Sequence, residues 1–385
     1  MKALALALAV AMVSAQTGGG GTATGFVAHE IATGLRGGYQ VVVADLNKDG
    51  KPDIIALAQG LPELLWYENP GWQRHVLLSG VLQPINASTY DIDGDGIPEI
   101  ALAQGFTMST ETSKGQIGLL THGPDVTAPW TYKEIDAVPT AHRLRWIDID
   151  GSGKKILAMA PLIGMASTPP DYRVPVPIFF YRAPDWKREV LSDALTGLIH
   201  GIEPLPWDDV KGDVLVSASF MGLIRHQFAS GKWAQTEITK GDPQPWPKSG
   251  ASDVKLGRLG ARKFLATIEP WHGNEVVIYT QTGSAWARHL IDDQIINGHS
   301  IVAVDIDNDG RDEVVVGQRG GARMPILYTA SADGASWSKR ALDDEGSMAG
   351  AGCAAADLNA DKRTDIVCIG TATANLRWYE NVGKR

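Results

Sequence analysis

One short phrase recurs along the whole of this chain, and a unit that cannot bury its apolar face alone must stack against its own copies. A tryptophan, a charged or polar pair and a brief apolar alternation return at Trp72, Trp130, Trp186, Trp233, Trp286 and Trp337, roughly 45 to 58 residues apart. A seventh opening, Phe26 to Ile31, lacks the tryptophan, but its Ala28-His29-Glu30 resembles Gln73-Arg74-His75. Each opening leads through a glycine-bearing connection to a strand-like run, an acidic turn and further apolar runs. Leu64-Leu65-Trp66-Tyr67-Glu68-Asn69 is such a closing run, and Leu376-Arg377-Trp378-Tyr379-Glu380-Asn381 repeats it. Seven units of about four short strands predict an all-β fold, a seven-bladed β-propeller of four-stranded blades over residues 26–385. The two ends carry complementary parts of one unit, so Phe26 to Ile31 is expected to form the outer strand of the last blade and leave no free edge.

Residues 1–15 read as a signal peptide, with a positive start, an apolar run from Ala3 to Val13 and a small-residue cleavage site. Residues 16–25 read as a flexible tract. The expected location is secreted or periplasmic, and no run is long and apolar enough to span a membrane. A formal net charge of -9 and the lack of a basic stripe exclude nucleic acid as a partner. No GxSxG elbow or phosphate-cradling glycine loop points to serine hydrolases or nucleotides. Cys353 and Cys368 flank the last acidic turn at an offset that places them near each other but not opposite, so a bond between them is the less favoured outcome. Oligomeric state is left open.

The acidic turns space oxygen ligands at positions one, three, five and nine, the pattern a hard cation such as Ca²⁺ needs. They are Asp45, Asn47, Asp49 and Asp53; Asp91, Asp93, Asp95 and Glu99; Asp305, Asp307, Asp309 and Glu313; and Asp357, Asn359, Asp361 and Asp365. Flanking strands set them apart from EF-hands and make them resemble FG-GAP or VCBS propeller repeats, in which such ions brace the fold. The turn at Asp148 lacks the ninth-position acid, and those near 206–212 and 253–261 have lost most ligands.

Three histidines, His142, His200 and His299, each stand six residues before an acidic turn or its decayed remnant. Equivalent positions of a circular repeat share one height and radius, so three imidazoles can converge on a central Zn²⁺-like ion. In an up-and-down blade they lie on the face opposite the acidic turns, which makes theirs the expected active face. Glu269, Trp271 and His272 in the fifth repeat, Gln318 and Arg319 in the sixth, and Arg143 and Arg145 beside His142 belong to it. Long insertions at Gly105 to Gln116 and Leu162 to Pro177, the second carrying Tyr172, are placed to wall a pocket. His29, His75, His122, His226 and His289 lie outside the phase and are read as surface or outer-strand residues.

The phrases His142-Arg143-Leu144-Arg145-Trp146-Ile147-Asp148, Ile199-His200-Gly201-Ile202, Glu269-Pro270-Trp271-His272-Gly273-Asn274 and Gly298-His299-Ser300-Ile301-Val302 resemble the propeller of the aldos-2-ulose dehydratase family. The resemblance implies a metal-dependent dehydration of keto-sugars such as 1,5-anhydrofructose. It covers the propeller; the cupin domains that follow it in that family have no counterpart among these residues. The chemistry such a site supports is proton abstraction beside a carbonyl, then loss of a β-hydroxyl or alkoxy group. His272 or Glu269 is the candidate base and Arg319 or Arg143 the oxyanion partner, with Arg145, Trp271, Gln318 and Tyr172 against a small sugar or glycoside. The rival reading is a non-catalytic carbohydrate-binding or adhesion propeller, which would be expected to repeat its binding residues in every blade.

Overall fold

The computed structural model describes Thr24–Lys384 apart from Ser284, so the signal-peptide reading lies outside the described residues. Seven four-stranded antiparallel sheets follow one another as blades. Strand a of each blade packs on strand a of the next, and that of blade 7 on that of blade 1, which closes the ring. The innermost strands are Gly38–Ala44, Asn86–Tyr90, Ala141–Ile147, Ile199–Pro206, Asp253–Leu259, Gly298–Val304 and Gly350–Ala356, for blades 1 to 7. As the repeat predicts, the N-terminal strand Thr24–Thr33 pairs with Asn375–Lys384 as the outer strand of blade 7. It begins two residues before Phe26.

Burial explains the pattern of each strand. Strand b is covered on both sides, so Asp53–Ala58 is buried throughout and reads as one apolar run. The outer strand has one wet side, so Gln73–Ser79 mixes exposed and covered positions. The recurring tryptophans stand within three residues of the start of this outer strand. One apolar core lies between each pair of neighbouring blades, such as that of Ile55, Leu57, Trp66, Leu102 and Trp130 between blades 1 and 2.

The closing phrase of the first and last units has a structural task. Asn69, buried at the end of strand c, donates its side-chain amide to Leu358 O of blade 7 at 2.7 Å and to Pro52 O at 3.0 Å. Asn381 does the same from blade 7, to Ile306 O of blade 6 at 2.8 Å and Thr364 O at 3.2 Å. Both tie adjacent blades. Cys353 and Cys368 are directly opposite in register and are disulfide-bonded, against the sequence expectation. The ninth residue of the turn, Asp365, pairs with Ala356, and counting outward from that pair brings the two cysteines together.

Candidate active site

The phased histidines are the extra residues of β-bulges. Strand a of blade 3 pairs Ala141 with Pro161 and then Arg143 with Ala160, which leaves His142 unpaired. The same slip occurs at His200 and His299, and also at Tyr39 and Ala351. A bulge re-aims the side chain it carries. Five blades thereby present a side chain at one level; the strands beginning at Asn86 and Asp253 pair without a slip.

Four imidazoles meet there. Ring centroids are 5.0 Å apart for His142–His200, 4.7 Å for His200–His272, 5.1 Å for His200–His299 and 5.0 Å for His272–His299. His272 comes from the loop after strand b of blade 5 and holds a left-handed backbone, φ 49°, a conformation costly for a residue with a side chain. The three whose nitrogens converge closely enough for one ion are His200, His272 and His299, not the phased trio. His142 stands beside them, its Nε2 at 3.1 Å from the Tyr39 hydroxyl and 3.2 Å from Arg143 Nη1.

The outer nitrogens fix the tautomers. His200 Nδ1 donates to Ser252 O at 3.1 Å and His299 Nδ1 to Ala351 O, so both Nε2 lone pairs face the cluster. His299 Nε2 is buried with no partner. Anchored Nδ1 and inward Nε2 is the arrangement of metal-binding histidines, and His200 and His299 have it, whereas His272 turns its Nδ1 to the donor Arg319. Burial holds His142, His200 and His299 well below the ordinary imidazole range, assisted by Arg143 for the first two and Arg319 for the third. Burial, then Arg319 and Arg143, takes His272 down to about 3. All four rings are neutral near pH 7, as ligands or bases must be.

The two guanidiniums flank the rings. Arg143 Nη2 lies 3.3 Å from His200 Nε2, and Arg319 Nη2 lies 3.2 Å from both His272 Nδ1 and Asn297 Oδ1. Glu269 is not free to act as a base, because its buried carboxylate accepts from Thr267, Tyr279 and Arg288. It turns toward the outer strands. Gln318 is likewise occupied, accepting from Ile296 N at 3.0 Å and reaching Met324 O at 3.4 Å, so it braces two loops. Arg145 pairs with Glu203 of blade 4 at 3.0 Å, and Lys255 holds the other oxygen of Glu203 at 2.6 Å.

Tyr172 and Trp271 lie in an apolar cap on the loop face. Leu162, Ile163, Tyr172, Leu198 and Phe220 form an apolar cluster with Phe106, Trp246 and Trp271 packed on it, and Trp271 sits 4.7 Å from the His272 ring. The two insertions thus cover the cluster rather than framing an open pocket. A cavity of about 340 Å³ instead reaches Arg143 and His299 along the ring axis, walled by Tyr39, Asn86, Ser88, Arg145, Asp253 and Lys255 among others.

Sequence reasoning missed Tyr39 and Asp253. Tyr39 stands six residues before Asp45, in the histidine phase, so the signal was present. Asp253 was read as part of a decayed turn, but it begins strand a, and the hairpin of blade 5 turns at Leu259–Arg262. Its Oδ1 leans on Gly201, where an added Cβ would meet it at 2.9 Å. His226, expected at the surface or on an outer strand, is buried in the third strand of blade 4 and bonded to Ser217 Oγ at 2.9 Å.

The acidic turns divide by the length of the ninth residue. Glu99 and Glu313 each spend one oxygen on a backbone N–H, of Ile92 and Ile306, and reach back to Asp91 and Asp93 or to Asp305 and Asp307. Asp307 Oδ1 is buried without a hydrogen-bond partner, the environment of a cation ligand. Asp53 and Asp365, one methylene shorter, give both oxygens to backbone N–H groups, of Leu46 and Asn69 and of Leu358 and Asn381. All four turns are held by Asx-type bonds from loop N–H groups to the first-position Asp, as from Asp49 and Gly50 to Asp45, Gly96 to Asp91, Gly310 to Asp305 and Asp361 to Asp357. In the turns at Asp45 and Asp357 position three is an amide, Asn47 or Asn359, and the ninth residue faces the backbone, so these two differ from the Glu99 and Glu313 turns in the ligands they offer. In the Glu99 turn, Asp95 also meets His122 at 2.9 Å, and in the Glu313 turn Asp309 pairs with Arg311.

Residues 114–282 match the aldos-2-ulose dehydratase β-propeller domain, and residues 45–102 match an FG-GAP-like repeat. The first segment contains His142, His200 and His272. The aldos-2-ulose dehydratase of Phanerodontia chrysosporium is 24% identical over 270 residues, which are 62% of this chain and 29% of that protein. The chain thus spans well under half the length of that relative. A solved structure of a luciferin-regenerating enzyme is similar at 12% identity and a TM-score of 0.48, over 94% of this chain and 97% of that one. The chain resembles the aldos-2-ulose dehydratase propeller, built on FG-GAP-type repeats.

Proposed function

We propose that this chain is a carbon–oxygen lyase that removes water or an alcohol from a keto-sugar. The observation that carries the reading is a buried set of neutral imidazoles flanked by two guanidiniums, in the segment similar to a dehydratase propeller. Such a set abstracts a proton beside a carbonyl and offsets the oxyanion that forms.

Tyr39, which lines the cavity, is the base in this reading, its hydroxyl proton passing to His142 Nε2 at 3.1 Å. Its oxygen takes the proton from the carbon next to the carbonyl, and the C–H electron pair moves onto the carbonyl oxygen. Arg143 and Arg319 offset the negative charge there. The electron pair then returns to form a carbon–carbon double bond as the β carbon–oxygen bond breaks. Tyr39 gives its proton to the departing oxygen and regains one from His142, so the proton removed from carbon leaves in water or alcohol. His200, His272 and His299 would hold a Zn²⁺-like ion, which supplies Lewis-acid polarisation of the carbonyl when bound. Calcium in the Glu99 and Glu313 turns would brace strands a and b without taking part. Export fits the Cys353–Cys368 bond, a feature of oxidising compartments.

The test is incubation with 1,5-anhydrofructose or a 3-keto-glycoside. An ultraviolet-absorbing unsaturated ketone is the expected product, and Tyr39→Phe and His142→Gln should each suppress it. Tight binding of keto-sugars with no product would turn the reading to a carbohydrate-binding propeller.

A further inference from the structure

Strand a of several blades grades in exposure along its length. In blades 1, 2, 6 and 7 the residues at the histidine end are buried, whereas Val43, Thr89, Ala303 and Ala355, next to the acidic turns, are partly exposed. The axial cavity follows the same path, lined by Tyr39 through Val43, Asn86 through Thr89 and Ala351 through Ala355. It is open at the turn end. At the other end the apolar cap of Tyr172, Phe220, Trp246 and Trp271 stands over imidazoles that are 1–2% exposed at His142, His200 and His299, while His272, which does not line the cavity, is partly exposed.

We infer that ligands reach the imidazole cluster through the axial channel from the face that carries the acidic turns. The cavity, about 340 Å³, is large enough for a small molecule. Arg145 and Lys255 share Glu203, while Asp253 faces the cavity with a single bond, from its neighbouring Val254 N–H at 2.9 Å. A cavity edged by Asn86, Ser88, Asp253, Arg145 and Lys255 offers both donors and acceptors along the route. The route does not depend on the lyase reading.

The route is tested by carbethoxylation of neutral imidazoles with diethylpyrocarbonate, mapped by peptide mass spectrometry. Both native cysteines are bonded, so Ser88→Cys, with Thr89→Cys as a second variant, offers one thiol in the channel for a bulky maleimide. Met165→Cys does so on the 162–177 insertion, where Met165 is 58% exposed. Each variant is compared with and without its adduct. The channel adduct should slow modification of His200 and His299 by an order of magnitude or more and leave His29 and His289 unchanged. The loop-face adduct should change none of these rates. Slowing by the loop-face adduct, no slowing by the channel adduct, or no modification of the cluster without adducts overturns the inference. Keto-sugar turnover is measured on the same samples: if the unmodified wild-type chain has none, the lyase reading fails while labelling still decides the route.

Discussion

Replacing Asn69 by Ala should weaken the seam that closes the ring. The side-chain amide, 3% exposed, is shared between Pro52 O in its own blade and Leu358 O in blade 7. Truncation leaves the main-chain bond from Asn69 N to Asp53 in place at 2.9 Å, so only the two amide bonds are lost. A buried carbonyl left unpaired costs about 1–3 kcal/mol, which puts the pair at roughly 2–6 kcal/mol. Urea unfolding of Asn69→Ala at neutral pH with a calcium chelator measures this directly, through a lower midpoint at unchanged slope. Asn381→Ala should cost at least as much, since its amide spans to Ile306 O in the same way and its Oδ1 also accepts from Gly383 N–H at 3.0 Å. The two tie opposite sides of blade 7, share no partner, and should add in the double variant to within about 0.5 kcal/mol. Losses below about 0.5 kcal/mol for both single variants would refute the argument and leave ring closure to the apolar faces and the N-terminal strand.

Three further outcomes follow from the site and the turns. Glu99→Asp should lower calcium affinity at its turn by about tenfold or more, because charge remains but reach is lost. Asp53→Asn should leave calcium binding unchanged; calorimetric titration separates the two, and equal calcium loss would contradict the division of the turns. His200→Ala and His299→Ala should each remove a zinc-type ion while His142→Ala retains it, read as metal content after calcium is stripped; loss in all three would restore the phased trio. His226, buried beside Ser217, is held down to about 4 by burial, below its unfolded value of 6.5. The unfolded chain therefore takes the proton first: this contribution to stability is full above pH 6.5 and is lost as pH falls toward 4. His226→Gln should remove about 3 kcal/mol of that acid sensitivity, and identical pH profiles for variant and wild type would show that His226 titrates normally.

The fold was legible because its signals are local. A tryptophan heads each outer strand but one, a doubly buried strand reads as an apolar run, and a tight turn needs its Asp and Gly at fixed spacing. The site was legible in phase but not in partnership. His142, His200 and His299 recur six residues before their turns because the bulge that lifts them lies at a fixed distance from the hairpin, and Tyr39 obeys the same count. His272 carries no such phase: it reaches the centre on a loop, by a left-handed backbone and a bond from its N–H to Ser252 Oγ at 3.4 Å, and no periodicity records either. Glu269 failed as a base for the converse reason. Three residues from His272 in sequence, it faces Tyr279 and Arg288 across its own sheet, since alternation along a strand decides direction and the strand ends at Glu269. Asp253 was hidden by a missing bulge. Where blade 5 pairs without a slip, the position that would carry a histidine becomes Ser252, whose carbonyl orients His200, and the next residue turns its carboxylate to the cavity. The blade that gave up its imidazole in strand a returns one from its loop, so the number of rings at the centre is set by the bulges and that loop together.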